Sequence, residues 1–465
     1  MISTEHAFTW RSRTAFVIIT AGATLSLNDF LTFPAMAGQN GGGVFLLFYI
    51  LFLFILGLPL MMAELMLGRL ALSDPAASFQ KLSEQYRASV YWKLIGLGSM
   101  LAAFLITASL CVMGGRALSY FFKSTLGMFA NISIEESSLL FHDFMFDSER
   151  MALWLTLFII LLVTISAQEL RKGLERICLL LVPLMIFLLA CGLILAIYSS
   201  EFGNSVKYLL YADFSAFDAR TPIVALQRAF YTLVLAVGVM IAFGRYLPRG
   251  ISIGYSASLV IAIDLLFSIF TGLTINALIF STGYEPELHN QFAFTILPVV
   301  FTHFDSAGLF AAMFYLLITL AALTTTIALM ESPITYLQRK FDCSRLRAAC
   351  LLGCGVWLFG MGVILAQSVW NGSGFTLALF FGDEAVRLVN NAGFDDVLIF
   401  FSNHLVQPFV ALFTCIFVAW VIPREVSFAE LAFTHKIRFE IWNYLIRYIT
   451  PVLLLIVIIA SLGIT

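Results

Sequence analysis

The sequence predicts an all-α polytopic membrane protein with eleven membrane-crossing helices, and three observations carry that reading. The 465 residues are 61% hydrophobic and 12% charged, with a mean hydropathy of +0.96, about half the charged fraction of a soluble protein. Apolar runs of about 20 residues, the length a helix needs to cross a bilayer, recur at about 14–36, 42–67, 92–122, 151–167, 177–198, 222–244, 252–280, 308–337, 347–367, 396–421 and 443–462. The basic residues alternate in side. With the N-terminus placed in the cytoplasm, inside segments hold 19 of the 26 Lys and Arg, outside segments hold five, and Arg116 and Arg228 fall within spans. This asymmetry fixes orientation and leaves the C-terminus outside. No basic run suggests a nucleic-acid partner, and none of the seven cysteines lies in an outside loop. The partners expected are the lipid bilayer and a small-molecule solute.

Taken in order, span one is interrupted at Ser26-Leu27-Asn28-Asp29. Ser, Asn and Asp offer their own side chains to the backbone and compete with helical hydrogen bonds. At membrane depth such a break bares carbonyls and a carboxylate, the chemistry of a buried cation site in a discontinuous helix. Span two follows the run Asn40-Gly41-Gly42-Gly43 and carries Pro59 and Glu64. Span three is long and ends near Arg116. Spans four and five are plain apolar runs. Span six has a weak spot at Ala236-Val237-Gly238, and span seven carries Asp264. Span eight holds Thr324-Thr325-Thr326, where a lone Thr commonly bonds back to its own helix. Spans nine, ten and eleven are again apolar. Intramembrane ionisable residues are costly and mark function by default, which singles out Asp29, Arg228 and Asp264; Glu64 and Glu331 read as buried structural acids. No nucleophile–base pair, phosphate loop or metal-ligand spacing supports an enzyme.

The chain resembles the neurotransmitter:sodium symporter family, in its bacterial eleven-helix branch. The likeness is carried by Trp10, Ala21-Gly22, Asn28-Asp29-Phe30-Leu31, Phe33-Pro34, Asn40-Gly41-Gly42-Gly43, Gly57-Leu58-Pro59-Leu60, Gly68-Arg69, Phe230-Tyr231-Thr232-Leu233 and the Thr run of span eight. It implies one transmembrane domain over 1–465 with a 5+5 inverted-repeat fold. Repeat one covers about 10–200 and repeat two about 220–421, helices one and six are discontinuous, and a peripheral helix lies at 443–462. It also implies a bacterial inner-membrane location and a monomer or weak dimer. By position, one sodium site would use the carbonyls of Gly22, Leu25 and Ala321 and the hydroxyls of Thr324 and Thr325. A second, altered site would use Thr24, Asp29, Thr232 and Asp264, so one or two sodium ions are expected. The chloride-type positions become a charge cluster of Tyr49, Arg228, Thr232, Asp264 and Ser268, in which a fixed negative charge removes the need for chloride.

The implied substrate pocket is Ser26, Leu27, Asn28, Ile106, Leu110, Tyr231, Val234, Thr325 and Leu329. It departs from the family, because the tyrosine that holds a substrate carboxylate is Leu110 and the helix-one glycines are Ser26 and Asn28. Arg116 is expected to snorkel or to pair with an outside acid. The outer-gate arginine is Thr32 and its acidic partner is Leu398, so Arg228 with Asp395 or Asp396 is the expected substitute. Trp10 and Tyr246 are the expected inner-gate residues. The resemblance implies sodium-driven symport of an amino acid or amino-acid-like amine by alternating access. Two alternatives stay open: a solute lacking a carboxylate, and a transport-inactive relative acting as a membrane sensor or interaction protein.

Overall fold

The structure is a computed structural model that describes residues 9–169, 171–215, 217–284, 286, 292–302, 307–370, 374–381, 384–433 and 435–462. Among them, nine helices are long and apolar enough to cross a membrane: Gly43–Ala71, Val90–Thr125, Ser148–Ser166, Gly173–Tyr198, Ile253–Phe280, Gly308–Phe341, Arg345–Gln367, Phe394–Val421 and Lys436–Ser461. They correspond to spans two to five and seven to eleven. The other two expected spans are broken, span one into Arg13–Thr24, Leu27–Leu31 and Phe33–Gln39, and span six into Thr221–Thr232 and Val239–Arg245. The loop between spans nine and ten departs from the all-α expectation. Strands Phe375–Phe381 and Glu384–Ala392 pair there as an antiparallel hairpin.

The break in span one is made by Asp29. The Ser26 amide, which would continue the helix by donating to Gly22, instead donates to Asp29 Oδ2 at 2.8 Å. The Asp29 amide turns to the Ser26 carbonyl at 3.1 Å rather than to Leu25. The carbonyls of Gly22 and Leu25 thereby lose the amides that would close the next turn. Span six is broken more severely. Val234 and Ala236 take φ of +51° and +62°, a region that costs a side-chain-bearing residue about 1–2 kcal/mol. Neighbouring helices hold this loop: Glu64 accepts the Ala236 amide at 2.7 Å, and Gln407 donates to the Leu235 carbonyl at 2.8 Å.

Span eight is the centre of the molecule, with 89% of its apolar window buried against 33% for spans four and eleven. It packs most extensively on span three and also meets both broken spans. Span two and the inner half of span six approach backbone to backbone. A Cβ on Gly68 would collide with the Ile241 carbonyl, and one on Gly244 with the Leu65 carbonyl. Only glycine permits that approach.

Candidate functional site

A cavity of about 140 Å³ opens where the break of span one faces spans three, six, eight and ten. All nine residues expected as the substrate pocket line it: Ser26, Leu27 and Asn28 from span one, Ile106 and Leu110 from span three, Tyr231 and Val234 from span six, Thr325 and Leu329 from span eight. Sequence reasoning missed the wall from span ten, which adds Ser402, Asn403 and Gln407, and it missed Ser109 of span three. Polar residues at 402, 403 and 407 of an otherwise apolar span were the available signal. Tyr231 is fixed against this wall, its hydroxyl donating to the Asn403 carbonyl at 3.0 Å and lying 3.2 Å from Ser461 Oγ.

One of the three threonines of span eight differs from the other two. Thr324 donates to the carbonyls of Leu320 and Ala321 at 3.0 and 3.2 Å, and Thr326 donates to Ala322 at 2.8 Å. Thr325 does neither. Its hydroxyl is buried, has no hydrogen-bond partner among the described residues, and lines the cavity. Span one meets this stretch at Gly22, where an added Cβ would lie 3.9 Å from Thr324 Cβ. One of the carbonyls freed by the break, that of Gly22, therefore belongs to a residue packed against Thr324 of the neighbouring helix. Neutral oxygens in such a set suit a hard, singly charged cation, and a buried hydroxyl left without a partner is costly.

The charge cluster lies behind the cavity. Arg228 pairs with Asp29, and both are buried. Asp29 Oδ1 also accepts Ser268 Oγ at 3.0 Å, while Oδ2 takes the Ser26 amide and, at 3.4 Å, its hydroxyl. A carboxylate offers about four acceptor sites, so Asp29 is saturated. That corrects its expected role as an ion ligand: it is the counterion of Arg228 and the cap that breaks span one. Asp264 is different. Its Oδ2 accepts Thr232 Oγ1 at 3.3 Å, and its Oδ1 is buried without a partner among the described residues. The Thr24 hydroxyl bonds its own helix at Ala21. Phe33 lies under the Arg228 guanidinium at 5.4 Å, and the buried hydroxyl of Tyr49 has no partner among the described residues.

The expected outer gate is also corrected. Arg228 is committed to Asp29 and pairs with neither Asp395 nor Asp396. Asp395 lines the cavity and accepts Ser109 Oγ at 2.5 Å, Asp396 accepts the Gly393 amide at 3.0 Å, and Thr32 bonds back to Asn28 at 3.0 Å. A hydroxyl–carboxylate bond between spans three and ten stands where an ion pair between spans six and ten was expected. Among the described residues Arg116 pairs with no acid, and it does not snorkel to the surface. It is buried, donates to Gln367 Oε1 at 3.0 Å, and lies 5.8 Å from the rings of both Phe141 and Phe294. At the other end of the molecule, Trp10 donates its indole N–H to the Phe243 carbonyl at 3.1 Å and packs edge-on to Phe243 and Tyr246. The Tyr246 hydroxyl donates to Glu331 at 3.2 Å, and Glu331 pairs with Arg345 at 2.6 Å.

Comparison with known proteins gives a consistent picture. The model of the sodium:neurotransmitter symporter family matches residues 8–137 and 134–464. A sodium-dependent transporter of Bacillus subtilis (strain 168), itself uncharacterised, is 28% identical over 466 residues, covering 100% of this chain and 99% of its own length. A second such transporter, from Haemophilus influenzae, is 28% identical over 463 residues, 98% of each chain. The crystal structure of MhsT in complex with L-phenylalanine superposes with a TM-score of 0.85 at 28% identity, covering 98% of this chain and 99% of that one. The fold is thus the 5+5 inverted-repeat transporter fold with discontinuous helices one and six.

Proposed function

Since the chain belongs to the sodium:neurotransmitter symporter family, and is therefore a membrane transporter coupled to sodium rather than an enzyme, we propose that it imports an amino acid or amino-acid-like amine by alternating access. The observation that carries this reading is the single cavity uniting the break of span one with the unpartnered Thr325 hydroxyl of span eight. Solute and ion then share one wall, which is the requirement for coupling. Gly22, Leu25, Ala321, Thr324 and Thr325 would hold one sodium ion. A second ion would take Asp264, Thr232 and the Thr24 carbonyl, without Asp29. Sodium at the first site joins span one to span eight, so its arrival and departure bias the same elements that line the cavity. The repeats at about 10–200 and 220–421, the peripheral helix at 443–462, an inner-membrane location and a cytoplasmic N-terminus belong to the same proposal.

Uptake into proteoliposomes tests it. Saturable accumulation of a labelled amino acid or amine that needs an inward sodium gradient supports symport. Solute and sodium binding without accumulation would assign the chain to the sensor alternative.

A further inference from the structure

Resting on that transport reading, we propose that Asp395 is the specificity-determining residue of the cavity and that the solute it selects carries a cationic nitrogen and no free carboxylate. Among the described residues that line the cavity, Asp395 bears the one carboxylate, and no Lys, Arg or His joins it. Its Oδ1 is held by Ser109 at 2.5 Å, which fixes the carboxylate across the gap between spans three and ten. Its Oδ2 has no hydrogen bond or ion pair among the described residues. Arg116, the cation that acts on it electrostatically, is bonded to Gln367 and lies against Phe141 and Phe294 rather than in the cavity.

The opposite charge has no cationic seat. A solute carboxylate would meet the aliphatic walls of Leu110, Ile106 and Leu329 and only neutral donors such as Thr325, Asn28 and Asn403. The Ser26 amide, at the helix break, is already bound to Asp29. Arg228 is consumed by the same carboxylate. An anion taken out of water without a cationic partner pays a desolvation cost, and like charge near Asp395 adds to it. An ammonium reverses both signs: it gains a charge-assisted hydrogen bond to Oδ2, stronger than a neutral one. Its carbon skeleton then contacts the aliphatic walls. At ~30 Å³ per water, a cavity of about 140 Å³ takes a small solute.

The test is a thermal-shift titration of the purified, detergent-solubilised chain in sodium. Three carbon skeletons are each supplied as amino acid, decarboxylated amine and deaminated acid: alanine, ethylamine and propanoate; leucine, 3-methylbutylamine and 4-methylpentanoate; phenylalanine, 2-phenylethylamine and 3-phenylpropanoate. The expected result is stabilisation by at least one amine at a concentration tenfold or more below its amino acid, with none from the acids. Asp395→Asn, which keeps an acceptor for Ser109, should raise the amine concentration needed by tenfold or more. It should leave the stabilisation by sodium alone unchanged. Preference for the amino acids, no response to any amine, or an amine titration indifferent to Asp395→Asn overturns the proposal. Loss of the response to sodium alone, in the unmodified chain, would instead count against the symport reading.

Discussion

The backbone amide of Ala236 donates to the Glu64 carboxylate at 2.7 Å, so an acid on span two holds open the break in span six. Without it the amide of a residue at φ +62° would be buried and unpaired. Glu64→Leu should therefore destabilise the protein by about 1–3 kcal/mol, the cost of one orphaned buried donor. Glu64→Gln, which retains an accepting oxygen, should recover most of that loss. The check is thermal unfolding of the three proteins side by side, and equal melting temperatures for wild type and Glu64→Leu would refute the assignment.

The threonine run provides its own control. Thr324→Ala with Thr325→Ala should abolish stabilisation by sodium, whereas Thr326→Ala, whose hydroxyl is spent on Ala322, should leave it intact. Sodium titrations followed by thermal shift read this directly. Equal sodium responses in the unmodified protein and both variants would remove the helix-one/helix-eight site from the mechanism.

Arg228 and Asp29 form a buried pair, and breaking one leaves an uncompensated charge costing about 3–5 kcal/mol. Asp29→Asn or Arg228→Gln alone should each lose stability on that scale. The double variant should recover a large part of it, because neither member of the pair then carries a charge. A double-mutant cycle measures the coupling, and strictly additive losses would show that the pair is not coupled as its geometry indicates.

Chloride should be dispensable. Asp264 places a fixed negative charge beside Thr232, and Asp29 places a second one against Ser268, so an added anion would be repelled by two carboxylates facing one guanidinium. Sodium-driven uptake should be unaffected when gluconate replaces chloride. A steep chloride requirement would mean that Arg228 dominates the local field.

How much of this was legible in the sequence depended on whether the signal was local. The break in span one could be read because Ser26, Asn28 and Asp29 are neighbours that disrupt a helix among themselves. The break in span six was only hinted at by Ala236-Val237-Gly238, since its geometry is imposed by Glu64 and Gln407 from far along the chain. The nine pocket residues followed from positions in a resembling pattern. The pairing of Asp29 with Arg228 followed from the same pattern, but the saturation of Asp29 did not, because its four contacts come from three separate spans. Asp395 was marked as a gate because it lies close to the position that the family uses for that purpose. Its place in the cavity wall depends on how span ten leans on span three, which no local pattern encodes.

The reciprocal contacts of Gly68 with Ile241 and of Gly244 with Leu65 have a mechanical meaning. Two helices whose main chains touch at two points have no layer of side chains to act as a bearing between them. Sliding one past the other would drive backbone into backbone, and close-packed interiors switch between discrete arrangements rather than shear continuously. The inner half of span six and span two therefore travel as one strut. Because Trp10 is bonded to Phe243 and Tyr246 at the foot of that strut, the entry to span one is tied to it, and moving the strut requires Trp10 to move with it or to break both bonds.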